Sequence, residues 1–493
     1  MAIAQGKYHI WTVGCQMNMA DTQRVEAVLD GLGWDNAPSI AEADLVILNT
    51  CSVREAPELK AHGQLSLLKH AKKVRADLLV GMMGCMIGNQ RTIDDLSKRY
   101  PVVDLFFKVE QLDILPRFLE ERWRPIATGD GCVDVAEFDA PTRTGTPLTM
   151  LPLSPAPIPT AGSAAPMSIT PRPATRELHY PTLVNEQRKP TAWLPVILGC
   201  NKVCSYCIVP SRRGRERSRP VDELLLEARG LIDKGACELT LLGQTVEAYG
   251  LDLPGQPTLS ELMAQLSAIE GLHRIRFMTS YPRHMTDAMI HEMASLPKVM
   301  DHVNIPVQHG DDGMLERMRR GYTLTEYRTL IAKLRRWWPG VTLSTDVIVG
   351  FCGETEAEFA NLLDLLREIR FDVVHVAMYS PRNGTLSYKW EDDVPLELKK
   401  ARLHAVEAVQ SEIALELNNA LIGTTQEILI EERQINGDRT LWKGRTRTNK
   451  IVFFPTENVE SLAIGDLANV VIDRATAWSL QGIAQRQPVL VAE

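Results

Sequence analysis

Between residues 191 and 420 the chain alternates short apolar runs with amphipathic ones. The apolar runs are Ala192–Leu198, Glu238–Gln244, Arg274–Ser280, His302–Gln308, Val341–Gly350 and Val373–Ser380. Helical periodicity marks Val221–Lys234, Leu259–Glu270, Thr286–Ser295, Thr325–Trp337 and Thr355–Ile369, and residues 395–420 read as a closing amphipathic helix. Strand–helix–strand units pair in parallel through right-handed crossovers. Repeated in this way, they predict a partial (β/α)6 barrel with its chemistry at the carboxyl ends of the strands.

The first of these strands runs directly into GCNKVCSYC (199–207), which places Cys200, Cys204 and Cys207 as C-x3-C-x2-C. Three thiolates so close together can hold a zinc ion or an iron–sulfur cluster. A structural zinc normally takes four ligands, whereas a 4Fe–4S cubane on three cysteines keeps one iron open. Polar segments end other strands at the same mouth: Gln244-Thr245, Ser280-Tyr281, Gln308-His309 and Tyr379-Ser380-Pro381-Arg382.

Residues 8–121 repeat the alternation on a smaller scale. Tyr8–Gly14, Ala43–Thr50 and Leu78–Gly84 are strand-like; Asp21–Leu32 and Pro57–Val74 are helical. The order predicts an open, doubly wound parallel sheet. Each of the three strands ends in a cysteine: Cys15, Cys51 and Cys85. A single free cysteine is commonly a core filler. Three at the same strand-end position meet on one sheet edge and favour a second three-cysteine cluster site.

Residues 128–190 are dominated by Pro, Thr, Ala and Ser without a persistent period, which predicts a mostly disordered, partly extended linker in which Cys132 is incidental. Past Gly423, Glu427–Glu432, Lys450–Phe454 and Asn469–Asp473 are short strand-like runs separated by turns at Asn436-Gly437 and near Pro455 and Gly465. They predict a small all-β barrel. The expected units are therefore 7–127, 128–190, 191–421 and 422–486.

A net charge of −8 excludes a generally basic nucleic-acid binder while allowing local basic patches. One is RRGRERSR (212–219), where Arg212, Arg213, Arg215, Arg217 and Arg219 oppose only Glu216. Such runs are usually solvated faces, but the position beside the cluster loop favours phosphate binding. Another holds Lys443, Arg445, Arg447 and Lys450 without acidic interruption; nearby Trp442 reads better as core than as a base-stacking platform. Nine cysteines form no disulfide framework, and Cys237 and Cys352 read as packing residues. MAIAQGKYHIW has no signal-peptide character and no apolar run approaches membrane-spanning length, so the thiols are expected to be reduced, in the cytoplasm.

The six strand-end and loop cysteines, with GCQMNMADT, NTCSVREAP, LLGQTVEAYG, RRGYT, TDVIVGFCGETEAEF, AMYSPRNGT and GRTRTNK, resemble the radical S-adenosylmethionine (SAM) methylthiotransferases. The last module is similar to the RNA-binding TRAM domain. The likeness covers nearly the whole chain except 128–190, and NTCSVRE with GCQMN most resembles the tRNA branch called MiaB.

The resemblance implies two 4Fe–4S clusters, on Cys15/Cys51/Cys85 and Cys200/Cys204/Cys207, each with an open iron, and SAM as a further cofactor. Tyr206 stands where the superfamily has an aromatic near the SAM adenine, or is an ordinary packed tyrosine. Gly350 lets backbone approach the cofactor, or merely permits a turn. The implied reaction is radical C–H activation at carbon 2 of an isopentenylated adenosine beside the anticodon, then sulfur insertion and SAM-dependent methylation. A C–H bond on an aromatic carbon is too inert for acid–base chemistry, so a cofactor must carry that step. Threonylcarbamoyl-adenosine in tRNA or a ribosomal-protein aspartate are alternative substrates. A non-catalytic RNA-binding protein with zinc in both triads is a rival of another class. Expected partners are tRNA, a flavodoxin- or ferredoxin-like electron donor and a sulfur donor, with the chain a monomer. The chain departs from the family pattern at Thr245, Asn304, His309 and Cys352, all in the barrel lining, and lacks an arginine just before the cluster loop.

Overall fold

The computed structural model describes residues 5–53, 55–88, 90–123, 182–183, 190–436, 439–457 and 461–485. Apart from 182–183 and 190, the expected linker, with Cys132, lies outside the described residues.

The first unit runs β1 (Lys7–Thr12), α1 (Gln16–Gly31), β2 (Asp35–Asn36), β3 (Leu45–Thr50), α2 (Glu55–Val74), β4 (Leu79–Gly84), α3 (Gln90–Arg99), β5 (Leu105–Phe106) and α4 (Ile114–Arg122). Its strands pair in parallel in the order β2-β1-β3-β4-β5. β3 is buried throughout because both sheet faces are covered. Val46 and Leu48 pack with Leu65, Leu68 and Leu96 of α2 and α3; Leu45 and Ile47 pack with Val25, Leu29, Phe118 and Leu119 of α1 and α4. The winding thus reverses between β1 and β3. An open α/β sheet leaves its crevice there, at the carboxyl edge. Two-residue β2 and β5 are too short to leave a period in the sequence.

β6 (Thr182–Leu183) pairs with residues 434–435 of the last module. The central unit follows as β7 (Thr191–Pro195), β8 (Ile197–Leu198), α5 (Val209–Arg213), β9 (Arg217–Ser218), α6 (Val221–Asp233), β10 (Glu238–Leu242), α7 (Leu259–Ser267), β11 (Arg274–Phe277), α8 (Asp287–Ser295), β12 (His302–Asn304), α9 (Asp312–Arg317), α10 (Leu324–Trp337), β13 (Thr342–Val349), α11 (Glu356–Ile369), β14 (Val373–Met378) and α12 (Leu396–Asn419). Parallel ladders β11-β10-β7 and β12-β13-β14 form a partial barrel with β7 and β14 at its rims. Helix α1 packs on β7 and α12 on β14. Thr258, Thr286, Thr323 and Thr355 cap α7, α8, α10 and α11, each side chain accepting a backbone N–H from the first turn.

Two expected strands are interrupted at proline, which has no N–H to donate. The first leaves the barrel after Pro195, and Ile197–Leu198 pair antiparallel with Arg217–Ser218. β12 ends at Asn304, two residues before Pro306. The short α5 and α9 carry too few turns to show a period.

The last module comprises β15 (Thr425–Asn436), β16 (Arg439–Thr446), β17 (Ile451–Pro455), β18 (Leu467–Ala475) and β19 (Leu480–Ala484). The order β16-β17-β19-β18-β15 is closed by pairing of β15 with β16. Ile428, Ile430, Trp442, Phe454, Val470 and Leu480 fill it. The module sits under the amino ends of the barrel strands. Arg274 donates to the Arg445 carbonyl, Arg276 to those of Thr446 and Arg447, and Thr342 to that of Thr448. It therefore closes the end of the barrel opposite the cysteine loop. No helix among the described residues is long and apolar enough to cross a membrane.

Candidate active site

Cys15, Cys51 and Cys85 stand just beyond β1, β3 and β4, on the carboxyl edge of the first sheet. Cys15 is the N-cap residue of α1. Gly14, at φ +141°, makes room for this approach: a Cβ there would lie 2.6 Å from that of Cys51. A buried amide pair locks the edge. Asn18 Nδ2 donates to Asn49 Oδ1 (2.8 Å) and the Thr50 carbonyl (3.0 Å); Asn49 Nδ2 returns bonds to the Asn18 carbonyl (2.7 Å) and Thr22 Oγ1 (3.0 Å).

Arg213, the last residue of α5, reaches this triad from the central unit. Its Nη2 lies 2.9 Å from Asp21 Oδ2, and its charge acts on Cys85. The neighbouring buried thiols of Cys51 and Cys85 shift in opposite directions, Cys85 downward through Cys51 and the Arg213 charge and Cys51 upward as the partner that keeps the proton. Burial pushes Asp21 up to about 6 in spite of Arg213.

The second triad lies in the loop after β8. Gly199 (φ +74°) turns the chain where a Cβ would come within 2.1 Å of the Arg215 carbonyl. Cys200 N–H donates to the Gly214 carbonyl (3.1 Å) and Cys207 N–H to that of Cys204 (3.1 Å). Ser205 pins the loop to the barrel through Met318 O (3.1 Å) and Arg317 O (2.8 Å). Burial raises the Cys200 thiol and pushes Cys207 up to about 12, so binding metal here must displace protons. Arg320 Nη1 lies 3.3 Å from Cys204 Sγ and 3.4 Å from Tyr206 Oη.

The first triad borders the seam between the two units, beside the strand that leads into the loop of the second. Cys15, Met17 and Ala20 pack against Trp193, Leu198, Leu242 and Met278 across the unit boundary. Arg213 follows Cys207 by six residues, at the end of the short α5. A cleft of about 700 Å³ lies alongside, lined by Cys85, Lys108, Glu110 and residues 211–217 among others.

Tyr206 is half-buried and edge-on to Phe351 at 6.2 Å, in an aromatic group with Tyr379 and Trp390. Gly350 (φ +69°) donates its N–H to the Glu354 carboxylate, and a Cβ would lie 2.3 Å from Lys399 Cγ. Its surroundings are those of a turn closed by Lys399. Cys352 packs in the same group and Cys237 is buried against the Pro190 and Gly465 carbonyls.

The departures from the family pattern have local partners. Thr245 Oγ1 donates to Glu216 Oε1 (2.7 Å), which also accepts from Asn201 N–H (3.1 Å), tying the end of β10 to the cluster loop. His309 Nε2 is 2.9 Å from Glu354 Oε1, and Arg402 holds the other oxygen at 2.8 Å. Asn304 bridges Thr279 N–H, Ser344 and Asp346 inside the barrel.

Most members of the two basic runs have partners within the protein. Arg213 faces Asp21 and Cys85, and Arg219, 6% exposed, is held by Glu223, Glu227 and the Pro195 carbonyl. Arg212 bonds Thr92, which leaves Arg215 and Arg217 as the exposed members. Lys443 pairs with Glu432, Arg445 with Glu431, and Lys450 with Asp372. Arg447 clamps Asp301 and the Pro297 and Val299 carbonyls. Their partners come from a facing strand or another unit, so the local sequence shows an uninterrupted cationic run where the fold has ion pairs. The side chains of Lys443, Arg445 and Arg447 are thus engaged in ion pairs within the protein while remaining partly exposed. Trp442 lies in the module core.

Other residues at the site carry no motif of their own. Asp21 and Asn18 stand in the first turns of α1, legible only as polar residues on a buried helix face. Glu247, fully buried, is pushed up to about 7 by that burial; one oxygen accepts from Tyr281 N–H (3.0 Å) and the other has no partner.

The donor chemistry fits iron–sulfur clusters. Cys15/Cys51/Cys85 and Cys200/Cys204/Cys207 each supply three free thiols, and a cubane held by three thiolates keeps one iron open.

The model of the radical SAM superfamily matches residues 194–366, that of the uncharacterized protein family UPF0004 residues 7–108, and that of the TRAM domain residues 419–484. The chain is 40% identical over 486 residues to the tRNA-2-methylthio-N(6)-dimethylallyladenosine synthase of Roseiflexus sp. (strain RS-1), covering 97% of this chain and 90% of that protein. It is 37% identical over 481 residues to the enzyme of the same name from Carboxydothermus hydrogenoformans, covering 98% and 100%. A solved radical S-adenosylmethionine methyltransferase, TsrM from Kitasatospora setae, superposes with a TM-score of 0.48 at 13% identity, over 76% of this chain and 72% of that one. With such identity along nearly its whole length, the chain belongs to the family of the tRNA-2-methylthio-N(6)-dimethylallyladenosine synthases.

Proposed function

We propose that this chain methylthiolates carbon 2 of N6-isopentenyladenosine beside the anticodon of tRNA. The observation that carries the reading is the place of the first cysteine triad at the seam of two units, where Cys15 packs beside Leu198, the end of the strand that runs into the loop of the second triad. Cys15, Cys51 and Cys85 would hold one 4Fe–4S cluster and Cys200, Cys204 and Cys207 the other. When bound, the clusters and SAM supply radical C–H activation, sulfur and the methyl group.

The chain's own contribution is position and exclusion of water. The amide lock of Asn18 and Asn49 fixes the first triad, and Ser205 and Glu216 fix the second. Apolar packing around Leu198 and Met278 dries the seam between them. Tyr206 is suited to stacking on the SAM adenine, beside Phe351. Gly350 shapes the adjoining turn. The reaction also requires an electron donor of the flavodoxin or ferredoxin kind and a sulfur donor. We place the unit boundaries at 7–127, 128–190, 191–421 and 422–486, and the protein in the cytoplasm as a monomer.

Arg215 and Arg217, exposed beside the cleft, are the arginines of the run best placed to meet tRNA phosphates. Replacing both by glutamine should weaken tRNA binding and lower the slope of log K against log salt by about 0.7–0.9 per lost contact. Anisotropy titrations across a salt series read this directly; an unchanged slope would remove these residues from the RNA contact. The overall reading is tested by mass spectrometry of tRNA nucleosides from a deletion strain. Unchanged 2-methylthio-adenosine derivatives there would defeat it.

A further inference from the structure

Arg320 is a buried cation without a carboxylate partner among the described residues. Its guanidinium donates to the Pro306 carbonyl (2.9 Å), Tyr322 Oη (3.1 Å), Cys204 Sγ (3.3 Å) and Tyr206 Oη (3.4 Å). The Tyr281 and Tyr322 rings each lie 5.3 Å from its Cζ. The other buried arginines all have acidic partners: Arg219 has Glu223 and Glu227, Arg274 has Glu427, Arg276 has Glu238, and Arg402 has Glu354 and Glu356. Burying a guanidinium without an anion is strongly unfavourable. The backbone commits to this placement as well, since Arg319 holds φ +55°, a left-handed conformation that a side-chain-bearing residue seldom adopts.

Cys204 can supply the missing anion. We propose that Arg320 is the counter-ion of the iron–sulfur cluster on Cys200, Cys204 and Cys207, and that it raises the reduction potential of that cluster. The inference rests on reading those cysteines as ligands. Reduction adds one electron to the cluster and lowers its charge by one, with no bond made or broken in the chain. A fixed cation donating N–H to a ligand sulfur, in a site of low polarity, stabilises the reduced form over the oxidised one. The first triad differs. Arg213 also faces a thiol there, but Asp21 pairs with it and cancels its charge. The unbalanced cation therefore sits at the triad that must accept the electron. Arg320 acts through the cluster and is a positioning residue.

The test is a potentiometric titration with dithionite of the full chain, loaded anaerobically with iron and sulfide and followed by electron paramagnetic resonance. The signal that changes on addition of SAM reports the cluster concerned. At the potential where half of this cluster is reduced in the unaltered chain, Arg320→Gln should lower the reduced-to-oxidised ratio at least tenfold, a shift of about 59 mV for one electron. Arg320→Lys, which keeps the charge but loses the planar fork, should shift the ratio less. An unchanged midpoint in Arg320→Gln at full iron content overturns the proposal. So does weaker SAM binding at an unchanged midpoint, which would make Arg320 a cofactor ligand. Should Arg320→Gln fail to load iron, Arg320→Lys decides: a lowered midpoint supports the proposal and an unchanged one overturns it. A SAM-insensitive signal in the unaltered chain would instead refute the ligand assignment.

Discussion

Cys200→Ala is expected to abolish SAM cleavage and to lower iron from about eight atoms per chain to about four. Cys51→Ala should lose the same amount of iron yet still cleave SAM, while forming no 2-methylthio product. The two triads lie in units with separate apolar cores, one around Leu239, Phe277 and Leu343, the others around Leu65 and Val25. Losing one thiol therefore leaves the opposite unit's fold in place. The Cys51 site loses one of its three thiols, whereas the loop on Ser205 is untouched. Iron analysis, release of 5′-deoxyadenosine and nucleoside mass spectrometry together separate the two roles. A Cys51→Ala protein that still methylthiolates its substrate would sink the assignment of the first triad.

The largest effect on stability is expected from Arg276→Ala. Arg276 Nε meets Glu238 Oε1 at 2.9 Å with both side chains buried, and its two terminal nitrogens hold the carbonyls of Thr446 and Arg447. Removing the arginine leaves a buried carboxylate unpaired, which costs about 3–5 kcal/mol, and strips two carbonyls of their donor. Because a multidomain chain need not unfold in one step, the readout is hydrogen exchange by segment. Amides at 444–450 should exchange faster as the module loosens under the barrel. A double replacement, Glu238→Met with Arg276→Met, should cost less than Arg276→Ala alone, since no charge is left stranded. Unaltered exchange at 444–450 in Arg276→Ala would show that the module is held by other contacts.

Much of this architecture was legible because it rests on local periodicity. Strand and helix periods located the parallel strands of the barrel, and the position of Cys15, Cys51 and Cys85 after apolar runs placed them on one sheet edge. What was not legible depends on pairing across the fold. Lys443 has no acidic neighbour in sequence, yet Glu432 faces it from β15. Arg447 finds Asp301 at a separation of 146 residues. Arg213 looks like one cation in a run of five, and only the approach of α1 gives it Asp21. Arg320 stood inside RRGYT, but nothing local distinguishes a buried guanidinium without a carboxylate from a solvated one.

The placement of the triads along the chain also has a consequence for synthesis. The first triad lies wholly between residues 15 and 85, so its sheet can be complete while the barrel is still being translated. Domains tend to fold as they emerge, at about 5–20 residues per second. Arg213 follows Cys85 by 213 − 85 = 128 residues, or roughly 6–26 s of elongation at that rate. During that interval Cys51 and Cys85 are not covered by Arg213. The second triad gains its ceiling of Arg320 and Phe351 only as the later strands arrive. The order of residues in the chain thus completes the first triad's setting before that of the second.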